Sequence, residues 1–260
     1  MLTTTASYRL LAGDMPKSLD RTAAEPSVER ESAYYLENIS KVKSVEDLLS
    51  DDRLFTFAMK AFGLGDMVYA KAFMRKVLEG GIDASDSFAN SLADQRYRDF
   101  ATTFNFARYG ETATVFNRAQ QGTVDTYVRQ ALEENAGEQN EGVRLALYFQ
   151  RTAEKIDSVY DILADRALLK VVQTALGIPA AAGAQDIDKQ AALLESRLDV
   201  EDLKDPEKLD TFLTRFTSLY ELERDPATLS PSLILIARPT EAGIGPELLL
   251  SLQNLKLGGS

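Results

Sequence analysis

Apolar residues return along this chain at intervals of three and four, not in alternation. Leu54, Phe57, Ala58, Ala61 and Phe62 stand at i, i+3, i+4, i+7 and i+8, which places them on one face of an α-helix. The same period predicts helices over Val68 to Glu79, Val124 to Asn135, from Val143 onward, over Asp188 to Arg197, and along the stripe of Phe212, Phe216, Leu219 and Tyr220. Gly80-Gly81, the polar run Ala136 to Gly142 and the small-residue run Pro179 to Gln185 separate them. Aromatic stripes at this spacing read as core.

The pattern also repeats. Sliding the sequence by 114 residues sets Tyr34–Leu64 on Tyr148–Ile178 without a gap, and 10 of 31 positions are identical. They include Tyr34/Tyr148, Ser44/Ser158, Asp47/Asp161, Asp51/Asp165, Leu54/Leu168 and Gly63/Gly177. A fainter echo carries Ser87, Asp94, Arg96 and Phe100, and another carries Val200-Glu201-Asp202-Leu203 with Asp205. The predicted fold is therefore all-α, with duplicated helical units packed as a multi-helix bundle.

The recurring polar residues have a structural purpose. Ser44 can cap a short helix that ends near Ser50, with Asp47 completing an approximate capping box. Asp51 or Asp52 can cap the next helix, and Gly63 can end it in a left-handed conformation. Caps recur wherever helices start, because every helix leaves about four N–H groups unpaired. The aspartates are accordingly read as caps and not as a carboxylate active site or metal cage.

The ends break the pattern. Residues 1–31 combine Thr3-Thr4-Thr5, Pro16 and Pro26 with an apolar Tyr8-Arg9-Leu10-Leu11, which predicts a mobile arm with one sticky patch. Pro226, Pro231, Pro239 and Pro246 break residues 223–260 into short pieces, the last carrying Leu248, Leu249, Leu252 and Leu255 on one helical face. The expected organisation is an arm over 1–31, a first repeat half over 32–142, a second over 143–222, and a C-terminal docking segment over 223–260.

Composition narrows the chemistry. Lysine plus arginine is 29 against 40 for aspartate plus glutamate, a formal charge of −11, so a nucleic-acid partner is not expected. The longest apolar stretch, Leu233 to Ala237, is too short to cross a bilayer, and membrane insertion is not expected either. Cysteine and histidine are both absent, which removes thiolate nucleophiles, Ser-His-Asp mechanisms and histidine- or cysteine-ligated zinc. Gly243 and Gly245 lack the Gly-Lys-Ser/Thr of a phosphate loop. No catalytic, cofactor-binding or metal-ligating residue is assigned, and no cofactor is expected. Met1 to Met15 lacks the apolar core of a secretory signal peptide.

Three passages bear on identity. They are Ser7-Tyr8-Arg9-Leu10 with Glu31-Ser32-Ala33-Tyr34-Tyr35-Leu36-Glu37-Asn38-Ile39, then Lys41-Val42-Lys43-Ser44 through Ala61-Phe62-Gly63-Leu64, then Ala70-Lys71-Ala72-Phe73-Met74-Arg75-Lys76-Val77-Leu78-Glu79-Gly80-Gly81 with Arg96-Tyr97-Arg98-Asp99-Phe100. Together they resemble an alphaproteobacterial family of unknown function whose members are often encoded in flagellar gene clusters. The resemblance covers most of residues 7–110 and carries over no active-site residue. It implies a setting in flagellar assembly, export or motility.

The expected function is a non-enzymatic partner-binding or structural protein of that system. The alternative is a carboxylate- or metal-dependent enzyme of unknown substrate. The partner expected is a protein, a flagellar component first among candidates, and the surface is also compatible with self-association. Candidate partner-binding residues are Tyr8, Leu10, Leu11, Leu248, Leu249, Leu252 and Leu255. The expected location is the cytoplasm, with export to the flagellum as the alternative.

Overall fold

A computed structural model of the chain describes residues 2–224, and among these no residue lies in a strand. The first three helices are α1 (Thr4–Ala12), α2 (Met15–Ala23) and α3 (Pro26–Ile39). Residues 4–31 are thus not the mobile arm that their prolines and threonines suggest. Pro16 and Pro26 occupy first-turn positions of α2 and α3, where a missing N–H costs nothing. Thr3 and Asp14 cap α1 and α2 with their side chains. α1 packs on α11 (Glu141–Thr152), and α2 on α10 (Gln121–Gln139). The Thr4 hydroxyl accepts from Asn140 Nδ2 at 2.8 Å and donates to Glu221, while the Thr4 N–H reaches Glu221 Oε2 at 2.8 Å.

The two sequence segments that align at an offset of 114 residues carry helices at corresponding places. α4 (Val45–Ser50) and α5 (Asp52–Ala61) follow α3, while α12 (Val159–Ala164) and α13 (Arg166–Leu176) follow α11, so each helix starts at or near the 114-residue offset. Their details agree as well. Asp51 Oδ1 accepts from the N–H groups of Arg53 and Leu54, and Asp165 Oδ1 from those of Ala167 and Leu168. Tyr34 donates to Asp51 Oδ2 at 3.2 Å and Tyr148 to Asp165 Oδ2 at 2.6 Å. Gly63 and Gly177 end the two helices at φ +69° and +63°, each followed by a backbone bond, Leu64 to Met59 and Ile178 to Gln173, of the kind that closes a Schellman turn. Asp51, not Asp52, is the cap.

Between these units lie α6 (Lys71–Glu79), α7 (Phe88–Ser91), α8 (Gln95–Thr103) and α9 (Phe106–Tyr109). The predicted helix from Val68 begins only at Lys71, behind a 3₁₀ turn at Gly65–Met67. α14 (Ile187–Glu195) and α15 (Pro206–Arg224) complete the described chain. Asp94 and Asp205, from the two fainter echoes, also accept N–H bonds at the starts of α8 and α15.

Two apolar clusters form the core. The first gathers Tyr35, Leu48, Phe55, Met59, Phe100 and Phe104, and the second Tyr8, Leu147, Phe149, Ile162, Val171 and Phe216. α10 packs along both α5 and α11 and so joins the clusters. The predicted polar break after Asn135 does not interrupt it. The helix continues to Gln139, and Asn140 then caps α11 through the Gly142 N–H. Residues up to Glu221 form one compact unit. All but the first two residues of the 223–260 segment, including Leu248, Leu249, Leu252 and Leu255, lie outside the described residues.

Candidate functional site

Three helices turn one face each toward a common cleft of about 880 Å³. α8 contributes Gln95, Arg96, Asp99 and Thr103; α10 contributes Asp125, Arg129, Gln130 and Glu133; α11 contributes Arg144, Tyr148, Arg151 and Thr152. Each set is built on residues four apart, 95/99/103, 125/129/133 and 144/148/152, the spacing that keeps side chains on one side of a helix. The end of α12 and the start of α13 close the remaining side with Asp161, Asp165 and Arg166.

The cleft is balanced in charge within a chain of net −11. Arg96, Arg129, Arg144, Arg151, Lys155 and Arg166 line it together with Asp94, Asp99, Asp125, Glu133, Asp161 and Asp165. Glu133 is the deepest of these, with a side chain 2% exposed. Its Oε1 accepts from Arg129 Nε at 3.3 Å and from Arg151 Nε at 2.7 Å, and its Oε2 accepts from Arg151 Nη2 at 3.0 Å. A carboxylate this deep requires such partners, because leaving a buried charge unpaired costs several kcal/mol.

The two arginines respond differently to sharing one carboxylate. Burial dominates at Arg129 and lowers its pKa despite the Glu133 charge. Burial also pulls Arg151 down, but its hydrogen bonds and charge contact with Glu133 outweigh that, and its pKa is raised. Both stay cationic, since a guanidinium loses its proton only at extreme pH. Burial, followed by the Asp165 charge and hydrogen bond, raises the Tyr148 hydroxyl far above the ordinary tyrosine range.

Every carboxylate of the cleft is engaged. Asp94 takes Arg96 through Nε and Nη2 as well as the Arg96 N–H. Asp161 holds the N-terminus of α12 through the N–H groups of Asp157 and Ser158, and its other oxygen accepts from Gln95 Nε2 at 2.7 Å. Lys155 reaches Asp99 at 2.7 Å, Gln121 reaches Asp125 at 2.8 Å, and Asp165 is bound as described above. Among the described residues no group of three or more acidic side chains is placed to hold a metal ion.

Of the residues expected to bind a partner, Tyr8 is 2% exposed within the second cluster, so its ring is unavailable to a partner. The apolar character that made it a surface candidate is instead spent on the core. Leu11 is half-buried against the same cluster, and Leu10 is 66% exposed. The structure brings none of the three into the cleft. In sequence Tyr148 and Asp165 read as parts of the helical repeat, and Arg129, Glu133 and Arg151 do not stand out. The only local sign was the Arg129/Glu133 pair four residues apart on a helix.

Residues 61–209, a span that contains every residue of the cleft, match a family described as "Protein of unknown function (DUF1217)". The chain belongs to the DUF1217 family. The DUF1217 chain is also similar to a protein from Agrobacterium tumefaciens, an alphaproteobacterium, known from an X-ray crystal structure. The two share 47% identity with a TM-score of 0.80, over 85% of this chain and 94% of the other. Comparison with curated proteins finds no match. Tyr8, Leu10 and Leu11 lie outside the span matched to the DUF1217 family. No described helix is long and apolar enough to cross a membrane.

Proposed function

We propose that the chain is a non-enzymatic partner-binding or structural protein of the bacterial flagellar system. The observation that carries the non-enzymatic part is the state of the cleft's carboxylates. Five of the six accept hydrogen bonds that cap a helix or neutralise a cation, and Asp125 accepts from the Gln121 amide, whereas a general acid or base needs its oxygen within reach of a substrate proton. The cleft's polar side chains serve to hold helices from both core clusters together.

Binding is supported by exposed apolar residues on α1 and just before it. Leu2, Ala6 and Leu10 are all exposed and stand four residues apart, with Leu2 at 63% and Leu10 at 66% exposure. Ala6 and Leu10 share one face of α1 and Leu2 stands just ahead of its cap, an exposed apolar set that suits contact with a partner. The flagellar setting rests on the resemblance of the three N-terminal passages to a family encoded in flagellar gene clusters.

The test is deletion of the corresponding gene in a flagellated alphaproteobacterium, followed by complementation. Shorter or fewer filaments, or a smaller swimming ring, restored by the wild-type gene, would support the proposal. Normal filaments and a full-sized ring would remove the flagellar part of it.

A further inference from the structure

We infer that the cleft is a recognition site for carboxylates carried beside apolar groups, as in an acidic peptide segment of a partner. The cleft holds unused hydrogen-bond donors. Arg129 and Arg151 bring about five N–H donors each to one carboxylate that accepts about four. Nε and Nη2 of both are engaged, but neither Nη1 has a partner among the described residues. Neither Nη1 belongs to the buried unpaired atoms either, so both reach solvent. Arg144 uses Nε and Nη2 on Glu141 and also leaves Nη1 free. Arg166, exposed at the start of α13, forms no ion pair among the described residues. All four line the same cleft.

Each of the cleft's own carboxylates already holds at least one partner, while these four arginines keep N–H groups that no described residue takes. Guanidinium forks bind carboxylate and phosphate oxygens alike. The six resident carboxylates decide between them. With six cations and six anions the cleft carries no net charge to hold two negative charges on one group, as in a phosphate dianion, whereas N–H donors spread over four arginines suit separate carboxylates that each carry one. Phe62, Ala164 and Ala167 in the lining supply apolar surface beside those donors, and the volume suits a short peptide segment or a small molecule.

A fluorescein-labelled Leu-Glu-Glu-Leu-Glu-Leu peptide is titrated with the full chain by fluorescence anisotropy at low salt. Its glutamine counterpart and citrate serve as the other probes. Saturable binding of the glutamate peptide is expected, with none of the glutamine peptide. The Arg144→Gln/Arg166→Gln double variant, checked for an unchanged melting curve, should bind about tenfold more weakly. Lys189→Gln, outside the cleft, should bind as wild type. Citrate binding that is weakened by the same double variant, with no peptide binding, would keep the carboxylate chemistry and assign it to a free small molecule. The inference is overturned if the wild-type chain binds neither probe, if the glutamine peptide binds equally, or if the double variant binds unchanged. The inference takes only its peptide source from the partner-binding reading. That reading is tested separately by the swimming ring, so either can fail without the other.

Discussion

Glu133 is the residue on which the cleft's polar network turns. Glu133→Gln would leave Arg129 and Arg151 without their counter-charge while keeping the side chain's volume. The two guanidinium side chains retain 16% and 29% exposure, so the expected loss is about 2–3 kcal/mol, read as a lower urea midpoint. A change below about 0.5 kcal/mol would show that the network contributes no net stability. Tyr8 yields a pH prediction. Burial first, then the Asp210 charge, pushes its pKa up to about 12, above the unfolded value near 10. A raised folded pKa means that the stability contribution is fully present below about pH 10 and is lost as pH rises toward 12. Tyr8→Phe should therefore leave the melting temperature at pH 7 nearly unchanged and flatten its fall between about pH 10 and 12. An equally steep alkaline fall in the variant would contradict the assignment. The capping residues were legible in the sequence because a cap and its helix are local neighbours. Glu133 was not, because Arg151 joins it from another helix, 18 residues further along.

At the scale of elements, the α3–α5 and α11–α13 segments share their apolar positions, caps and terminating glycines. Gly63 and Gly177 both have positive φ, and a Cβ at either would meet only ordinary contacts or open space. Backbone strain alone should then set the cost of alanine, so Gly63→Ala and Gly177→Ala should each lose about 1 kcal/mol by chemical denaturation. Unequal losses would mean that the neighbours of the two glycines respond differently. The helical period and its stops revealed most of this architecture. The N-terminus reads as an arm in sequence because Pro16 and Pro26 look like breakers although they start helices, and because the partners of Tyr8 lie in the second cluster, far along the chain. Removal of residues 1–13 should accordingly lower the melting temperature by about 5–10 °C, through loss of Tyr8 burial and the Thr4 contacts. An unchanged melting temperature would restore the picture of a loose arm.

Among the described residues, two apolar clusters are joined through α10, and an arginine-rich cleft lies where helices from both clusters meet. This arrangement could not be read from a one-dimensional pattern, since α8, α10 and α11 meet only after folding and each face alone looks like a solvated polar stripe. The family match adds a frame, because it spans the cleft but not α1. The central claim, that this is a binding protein of the flagellar system, is tested most directly by in-cell cross-linking. The tagged chain is purified from flagellated alphaproteobacterial cells, with and without a functional flagellar export apparatus, and its cross-linked partners are identified by mass spectrometry. The account predicts reproducible cross-links to a named flagellar component, reduced by Leu10→Glu in a chain whose melting temperature is unchanged. Cross-links confined to proteins outside the flagellar system would contradict it.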